Sequence, residues 1–201
     1  NAPEVVVQPD VVEPVVPGLQ LDNIKMPTWI HGDSRDIVEL TDRVSADMIF
    51  SCPPYADLEV YSDDPQDIST LDYEEFKPAY EHIIAESCKL LKDNAFAAFV
   101  IGEARDKNGN YYNFVGDTIT AFRKAGLEYY NECIFVTPAG SWPIRLRRMF
   151  EAGRKVGKIH QNLLIFVKGD WRKAVENLGS VEQWTDGEIQ QFADPFGSDI
   201  E

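Results

Sequence analysis

A short loop with chemically suitable side chains follows the first apolar run of the chain. Residues 47–55 consist of Asp-Met-Ile-Phe-Ser-Cys-Pro-Pro-Tyr. Neither proline can extend a β ladder, so the run predicts a buried strand that ends at a rigid corner. Ser51, Cys52 and the carbonyl of Pro53 are hydrogen-bond acceptors there, and Tyr55 offers a flat ring. Ligands bind at the carboxyl edge of open α/β sheets, so we expect this loop to face a ligand.

The loop resembles the catalytic motif of the DNA amino-methyltransferases of phages and bacteria, in which Asp, Asn or Ser precedes Pro-Pro and an aromatic residue. The resemblance implies S-adenosylmethionine as methyl donor and a base of DNA rotated out of the duplex. The methyl group would be transferred to the exocyclic amino group of adenine or cytosine. The delocalised lone pair of that nitrogen is freed when acceptors bind its two hydrogens. The resemblance makes Ser51, Cys52, Pro53, Pro54 and Tyr55 the catalytic loop, with Tyr55 stacking on the base.

Cys52 departs from the family pattern, because a thiol is a weak acceptor. Ser51 lies one residue earlier and would point to the other face of the strand if the alternation persists. An ordinary rigid turn with a packing tyrosine is one alternative for the loop. Covalent attack by Cys52 on a pyrimidine carbon is another, although in that chemistry the cysteine usually follows the proline.

A second candidate site lies shortly before the strand. Trp29 and Ile30 predict a short strand, and Gly32 with Asp33 predicts a turn at its end. In the family, a carboxylate at a similar position accepts from the adenine amino group of the cofactor. The resemblance thus makes Asp33 and Ser34 candidate cofactor-binding residues. The alternative is that one of them caps a following helix over residues 35–40, and both roles are compatible.

The charge distribution predicts a local nucleic-acid contact. The chain has 201 residues and a net charge of -15, so its long-range field repels a polyanion. Six basic residues nevertheless gather between residues 143 and 158, where Glu151 is the only acid. They are Arg145, Arg147, Arg148, Arg154, Lys155 and Lys158. We interpret this basic segment as a DNA contact; a solvated helix face is the alternative.

Alternating helical and strand patterns predict an α/β fold with a Rossmann-like methyltransferase sheet. Asp72 starts a capping box, and a helical stripe follows it. Further strands are predicted over 96–102, 130–137 and 160–169, with a helix that includes Phe114 and Phe122. The predicted organisation is an extended arm or linker over 1–27, an α/β domain over 28–170 and an acidic, weakly patterned tail over 171–201.

The glycine-rich loop that holds the cofactor in the family has no counterpart before Asp33. We therefore expect the sheet to lack its first strands, with the chain being the later part of a longer enzyme or a split subunit. An unpaired sheet edge invites a partner, so we predict a homo-oligomer or a partner chain that completes the sheet. A non-catalytic nucleic-acid-binding or assembly subunit is the alternative function, and methyl transfer to a protein glutamine is a third.

The remaining features restrict the class of protein. No apolar run is long enough to cross a bilayer, so we expect no membrane partner. The three cysteines are far apart and fit no zinc spacing, and an odd, scattered set is typical of a reducing compartment. We therefore expect a cytoplasmic protein without a metal.

Overall fold

The computed structural model describes residues 27–55, 58, 60–136 and 142–180. Four strands form one sheet: β1 (Ala46–Ser51), β2 (Leu91–Ile101), β3 (Glu128–Val136) and β4 (His160–Lys168). Five helices accompany them: α1 (Ile37–Leu40), α2 (Tyr73–Leu90), α3 (Phe114–Lys124), α4 (Trp142–Gly153) and α5 (Trp171–Leu178). Short 3-10 helices cover Ser34–Asp36 and Ile68–Thr70. The helices among these residues are too short or too polar to span a membrane.

The strand order in the sheet is β1-β2-β4-β3. β1 and β2 run parallel, whereas β4 is antiparallel to both of its neighbours. The register places Phe50 beside Ala98, and Ala98 beside Ile165. This mixed sheet with flanking helices confirms the predicted α/β class, because a helix connects the two parallel strands as a crossover.

The core lies between one face of the sheet and the helices α2 and α3. Asp72 begins α2, and its side chain accepts from the backbone N–H of Glu75, as the capping spacing predicts. Phe122 of α3 stacks on Phe166 of β4 at 3.9 Å between ring centroids. The ring of Phe99 meets the ring of Phe122 edge to face, with 4.8 Å between the ring centroids. These rings fix α3 against the middle of the sheet.

Helix α5 packs on the opposite face of the sheet and was not predicted. Asp170 caps it, Ala174 is buried, and Trp171 lies 6.0 Å from the ring of Tyr130. Tyr130 in turn contacts Phe96, which alternation places on the face away from α2 and α3. The weakly patterned tail expected after residue 170 therefore starts with a packed helix. Residues 181–201 of that tail, like residues 1–26 of the predicted arm, lie outside the described residues.

Two strand predictions were wrong. Trp29 and Ile30 form no strand, and 70% of Trp29 is exposed. β1 is an edge strand rather than a buried one, with Met48 50% and Phe50 66% exposed. Apolar side chains on both faces are typical of an inner strand. In the structure, these apolar side chains belong to a strand that pairs with only one other strand among the described residues.

Candidate active site

The candidate catalytic loop follows β1 at the carboxyl end of that strand. Tyr55 is half-buried, and its ring centroid lies 5.8 Å from that of Phe114 at the start of α3. The hydroxyl of Tyr55 accepts a hydrogen bond of 2.7 Å from Nε2 of Gln161. It donates a longer one, of 3.4 Å, to the carbonyl oxygen of Val100. The tyrosine is thus fixed at both its ring and its hydroxyl.

Cys52 also belongs to this cluster, because its Sγ lies 3.7 Å from the hydroxyl of Tyr55. Burial raises the pKa of Tyr55 well above its usual value, and the contact with Cys52 raises it further. The phenol therefore stays protonated at neutral pH. Cys52 is exposed to solvent, and Ser51, Pro53 and Pro54 are half-buried.

Sequence reasoning did not find Gln161. It is the second residue of β4 and pairs with Phe135, so it lies far from Tyr55 along the chain. The available signal was a run of three polar residues at the start of an apolar strand. That signal says nothing about its partner, because only the sheet order places β4 beside β2 and near the loop.

A cleft of ≈ 360 Å³ lies beside the catalytic loop. Its lining includes Gly32, Asp33 and Ser34 together with Pro54. Residues of the acidic segment 60–71 supply a further wall, and these are Ser62, Asp64, Gln66, Asp67 and Ile68. The structure thus brings the candidate cofactor residues Asp33 and Ser34 to one cavity with Pro54 of the catalytic loop.

Asp33 makes the helix-capping contact that the sequence allowed. Its Oδ1 accepts from the backbone N–H of Arg35 at 2.9 Å, and its Oδ2 lies 2.7 Å from Nη2 of Arg35. Hydrogen bonding to the Arg35 side chain lowers the pKa of Asp33. Nε of Arg35 also lies 2.9 Å from both carboxylate oxygens, so the three donors of Arg35 use most of the carboxylate's about four lone-pair sites.

The acidic segment is folded on itself rather than extended. Asp67 caps the 3-10 helix Ile68–Thr70 by accepting from the N–H of Ser69 at 2.8 Å, and it also accepts from the hydroxyl of Ser62 at 2.9 Å. Arg35 connects this segment to the cleft by donating to the carbonyl of Gln66 at 3.1 Å. Arg35 therefore couples the position of Asp33 to that of the acidic segment 60–71.

The basic segment comprises α4 and the chain that follows it. Arg147 forms an i,i+4 pair with Glu151 at 2.8 Å, and Arg154 caps the end of α4 by donating to the carbonyl of Phe150 at 2.9 Å. Lys158 donates to Oδ1 of Asn162 at 3.3 Å. The side chain of Arg145 lies outside the described residues. Within the described part, no salt bridge involves Arg148, Arg154, Lys155 or Lys158.

No family model matches the sequence. No curated protein matches it either. Solved structures do share its fold. One is a candidate DNA modification methylase from Thermus thermophilus in complex with S-adenosyl-L-methionine, with a TM-score of 0.50 and 17% identity over 80% of this chain and 59% of that one. Another is the cytosine-N4-specific PvuII DNA methyltransferase, with a TM-score of 0.50 and 16% identity over 83% of this chain and 61% of that one.

These similarities confirm a sheet of the methyltransferase type. The chain spans about three fifths of the length of the proteins that it matches. At such low identity the likeness concerns the fold alone.

Proposed function

We propose that this chain is the catalytic half of a DNA amino-methyltransferase that uses S-adenosylmethionine to methylate the exocyclic amino group of adenine or cytosine. One observation carries the proposal: the cleft that Asp33 and Ser34 share with Pro54, directly beside the Pro-Pro-Tyr loop. A ligand held by the first two residues would place its reactive end next to the acceptors of the loop.

The cleft fits a cofactor of this kind. Its volume of ≈ 360 Å³ lies within the range of small-molecule sites, roughly 300–1,000 Å³. Asp33 would accept from an adenine amino group through the acceptor capacity that the three donors of Arg35 leave, and the hydroxyl of Ser34 would add a second contact. When bound, the cofactor supplies an electrophilic methyl group on a sulfonium.

The loop residues would then act on the amino group of the target base. The carbonyl of Pro53, rigid because proline fixes its own φ, accepts from one amino hydrogen. Cys52, or Ser51 from the adjacent position, accepts from the other. Both contacts move the nitrogen towards tetrahedral geometry and free its lone pair for the methyl group, after which the nitrogen releases a proton to solvent.

Tyr55 would form a wall of the base pocket. Its half-buried ring rests on Phe114, and its hydroxyl is held by Gln161, so a base that stacks against it meets a surface fixed in advance. Preorganisation of this kind aligns the amino group with the acceptors before reaction. The exposed apolar side chains of Leu58, Val60 and Tyr61 follow the loop and would cover the base if this segment closed.

DNA would be held by the basic segment. Arg148, Arg154, Lys155 and Lys158 lack carboxylate partners among the described residues and so remain available for phosphates. These contacts have to outweigh a chain of net charge -15. At short range the positive charges of the basic segment outweigh the acidic residues elsewhere in the chain, because salt screens charges more than about 8 Å away at physiological ionic strength.

As a further part of the proposal, a second copy or a partner chain pairs with the exposed edge of β1. Met48 and Phe50 present apolar surface beside a strand edge that pairs with no other strand in the described part of the chain. A second copy or another chain that pairs with β1 would cover both. The same edge favours a second candidate function, in which the chain is a non-catalytic nucleic-acid-binding or assembly subunit.

Mass spectrometry of nucleosides separates the two functions. The chain is incubated with DNA and S-adenosylmethionine, and the digest is searched for N6-methyladenine and N4-methylcytosine. Loss of either product in a Pro53→Ala variant that binds DNA normally would support methyl transfer by this loop. Tight DNA binding without product, and without binding of labelled cofactor, would favour the subunit.

A further inference from the structure

A small hairpin over residues 105–111 leaves the sheet next to the candidate catalytic loop. It follows the end of β2, where Gly102 packs so closely on Tyr55 that an added Cβ would lie 3.5 Å from Cε2 of the tyrosine. Arg105 and Tyr111 pair across the hairpin in antiparallel fashion. Whatever contacts this hairpin is therefore close to the site proposed for the base.

Hydrogen bonds between its own residues hold the hairpin in shape. The N–H of Asp106 donates to the carbonyl of Asn110 at 2.8 Å, and the N–H of Gly109 donates to the carbonyl of Asp106 at 2.9 Å. The carboxylate of Asp106 accepts from the N–H of Asn110 at 2.7 Å. The one acidic residue of the hairpin therefore stabilises the hairpin's turn. Gly109 has a φ of +85°, which suits glycine.

Arg105 and Tyr111 form a stacked pair in which the tyrosine is exposed and the arginine is half-buried. The guanidinium carbon of Arg105 lies 3.7 Å from the centroid of the Tyr111 ring, and Nη1 of Arg105 donates to the carbonyl of Gly109 at 2.7 Å. Tyr111 remains 48% exposed. Arg105 thus holds one face of a flat ring in a fixed orientation while much of that ring stays open to solvent.

The hairpin continues the basic segment. A Cβ at Gly109 would lie 2.4 Å from Nζ of Lys155, so that ammonium group sits against the hairpin tip. Neither Arg105, Lys107 nor Lys155 takes part in a salt bridge within the described ranges. Cations without carboxylate partners therefore run from α4 across the hairpin towards Tyr55, in a chain that is otherwise strongly acidic.

We propose that this hairpin is a second DNA contact, in which Tyr111 stacks on an unpaired base and Lys155 with Lys107 binds the adjoining phosphates. The proposal rests on the proposed function and adds that the bound DNA is single-stranded at this point. An exposed ring of this kind can stack only on a base that is not enclosed in a duplex. An aromatic ring beside cations that have no carboxylate partner among the described residues is the pattern that single-stranded DNA binds.

Fluorescence anisotropy with the whole chain, without cofactor, tests the proposal. The probes are a labelled single-stranded DNA, the matching duplex and an RNA of the same sequence. Tyr111→Leu removes the flat ring, and we expect it to weaken binding of the single strand about five-fold or more. Tyr111→Phe keeps the ring and should bind like the wild type. Circular dichroism of both variants checks that the fold is intact.

Salt dependence tests the phosphate contact separately. Lys155→Gln should lower the slope of log affinity against log salt by about 0.7 for a single strand. Arg123 is the matched control, because it is an exposed cation in the last turn of α3, at the end of that helix away from the hairpin, and forms no salt bridge with another described residue. Arg123→Gln should leave the slope unchanged.

The outcomes distinguish this proposal from the one on which it rests. Wild-type affinity in Tyr111→Leu, equal slopes in the two glutamine variants, or no binding of the single strand would each overturn the DNA contact. Tighter binding of the RNA would reassign the surface and overturn it as well. A chain that binds DNA through Tyr111 but forms no methylated nucleoside would retain this contact and lose the methyl-transfer proposal.

Discussion

Gln161 donates a hydrogen bond of 2.7 Å to the hydroxyl of Tyr55, 106 residues away along the chain. This bond connects the start of β4 to the loop after β1, although the two strands are not neighbours in the sheet. With the Val100 carbonyl it fixes the tyrosine from the side of the hydroxyl, while Phe114 supports the ring. Gln161 is therefore a positioning residue for the proposed base pocket.

Replacing Gln161 by leucine should lower kcat more than it raises KM. The phenol would lose its donor, and a displacement of the ring by about 1 Å costs about a hundred-fold in rate in a preorganised site. Stability should fall by about 1 kcal/mol for the lost bond. Steady-state kinetics on DNA and a urea titration provide the two measurements.

Tyr55→Phe supplies the control for that experiment. The phenylalanine keeps the ring but has no hydroxyl to hold, so adding Gln161→Leu to it should have little further effect on kcat. Equal losses from Gln161→Leu in the two backgrounds would show that the glutamine acts elsewhere.

The stability contribution of Asp33 should depend on pH in a defined direction. Hydrogen bonding to Arg35 lowers the pKa of Asp33 in the folded protein. A lowered folded-state pKa gives stability that is fully present above the unfolded-state value of about 3.9 and is lost as the pH falls through the folded-state value. The difference in Tm between the wild type and Asp33→Asn should thus be constant near neutral pH and shrink below about pH 4. A difference that grows towards acid pH would contradict this assignment.

The capping and cofactor roles of Asp33 can be separated by changing its partner. Arg35→Gln removes the ion pair but leaves the carboxylate in the cleft, whereas Asp33→Asn removes the carboxylate. If Asp33 accepts from the cofactor, Asp33→Asn should weaken S-adenosylmethionine binding by about ten-fold, because a bond to a charged acceptor is worth about 1.5–3 kcal/mol. Arg35→Gln should have a smaller effect in isothermal titration calorimetry. Equal losses in both variants would leave Asp33 with the structural role alone.

The sequence predicted those features that short-range rules determine. The Asp72 cap depends on residues three apart, and the stripe of Phe114 and Phe122 depends on the period of one helix. The catalytic loop could be located because two prolines must end a strand. The family resemblance, rather than a rule about sheet edges, assigned Asp33 and Pro54 to one site, because no strand of the structure ends at Asp33.

Other features depend on which elements become neighbours, and no local pattern contains that information. Met48 and Phe50 suggested a buried strand because apolar character does not reveal how many strands lie alongside. Gln161 acquired its role only through the strand order. Helix α5 was missed because it spans only eight residues, although its apolar side chains recur at helical spacing.

The exposed edge of β1 provides the last prediction. If a second copy or another chain pairs with this strand, an ammonium group at Phe50, which is 66% exposed, would be enclosed in the contact. Phe50→Lys should therefore shift the wild-type oligomer towards monomer in size-exclusion chromatography with light scattering. Ile134→Lys is a matched change on β3, the opposite edge strand, where Ile134 is 53% exposed. It should leave the oligomer intact, and equal dissociation by both changes would show that the contact is not specific to β1.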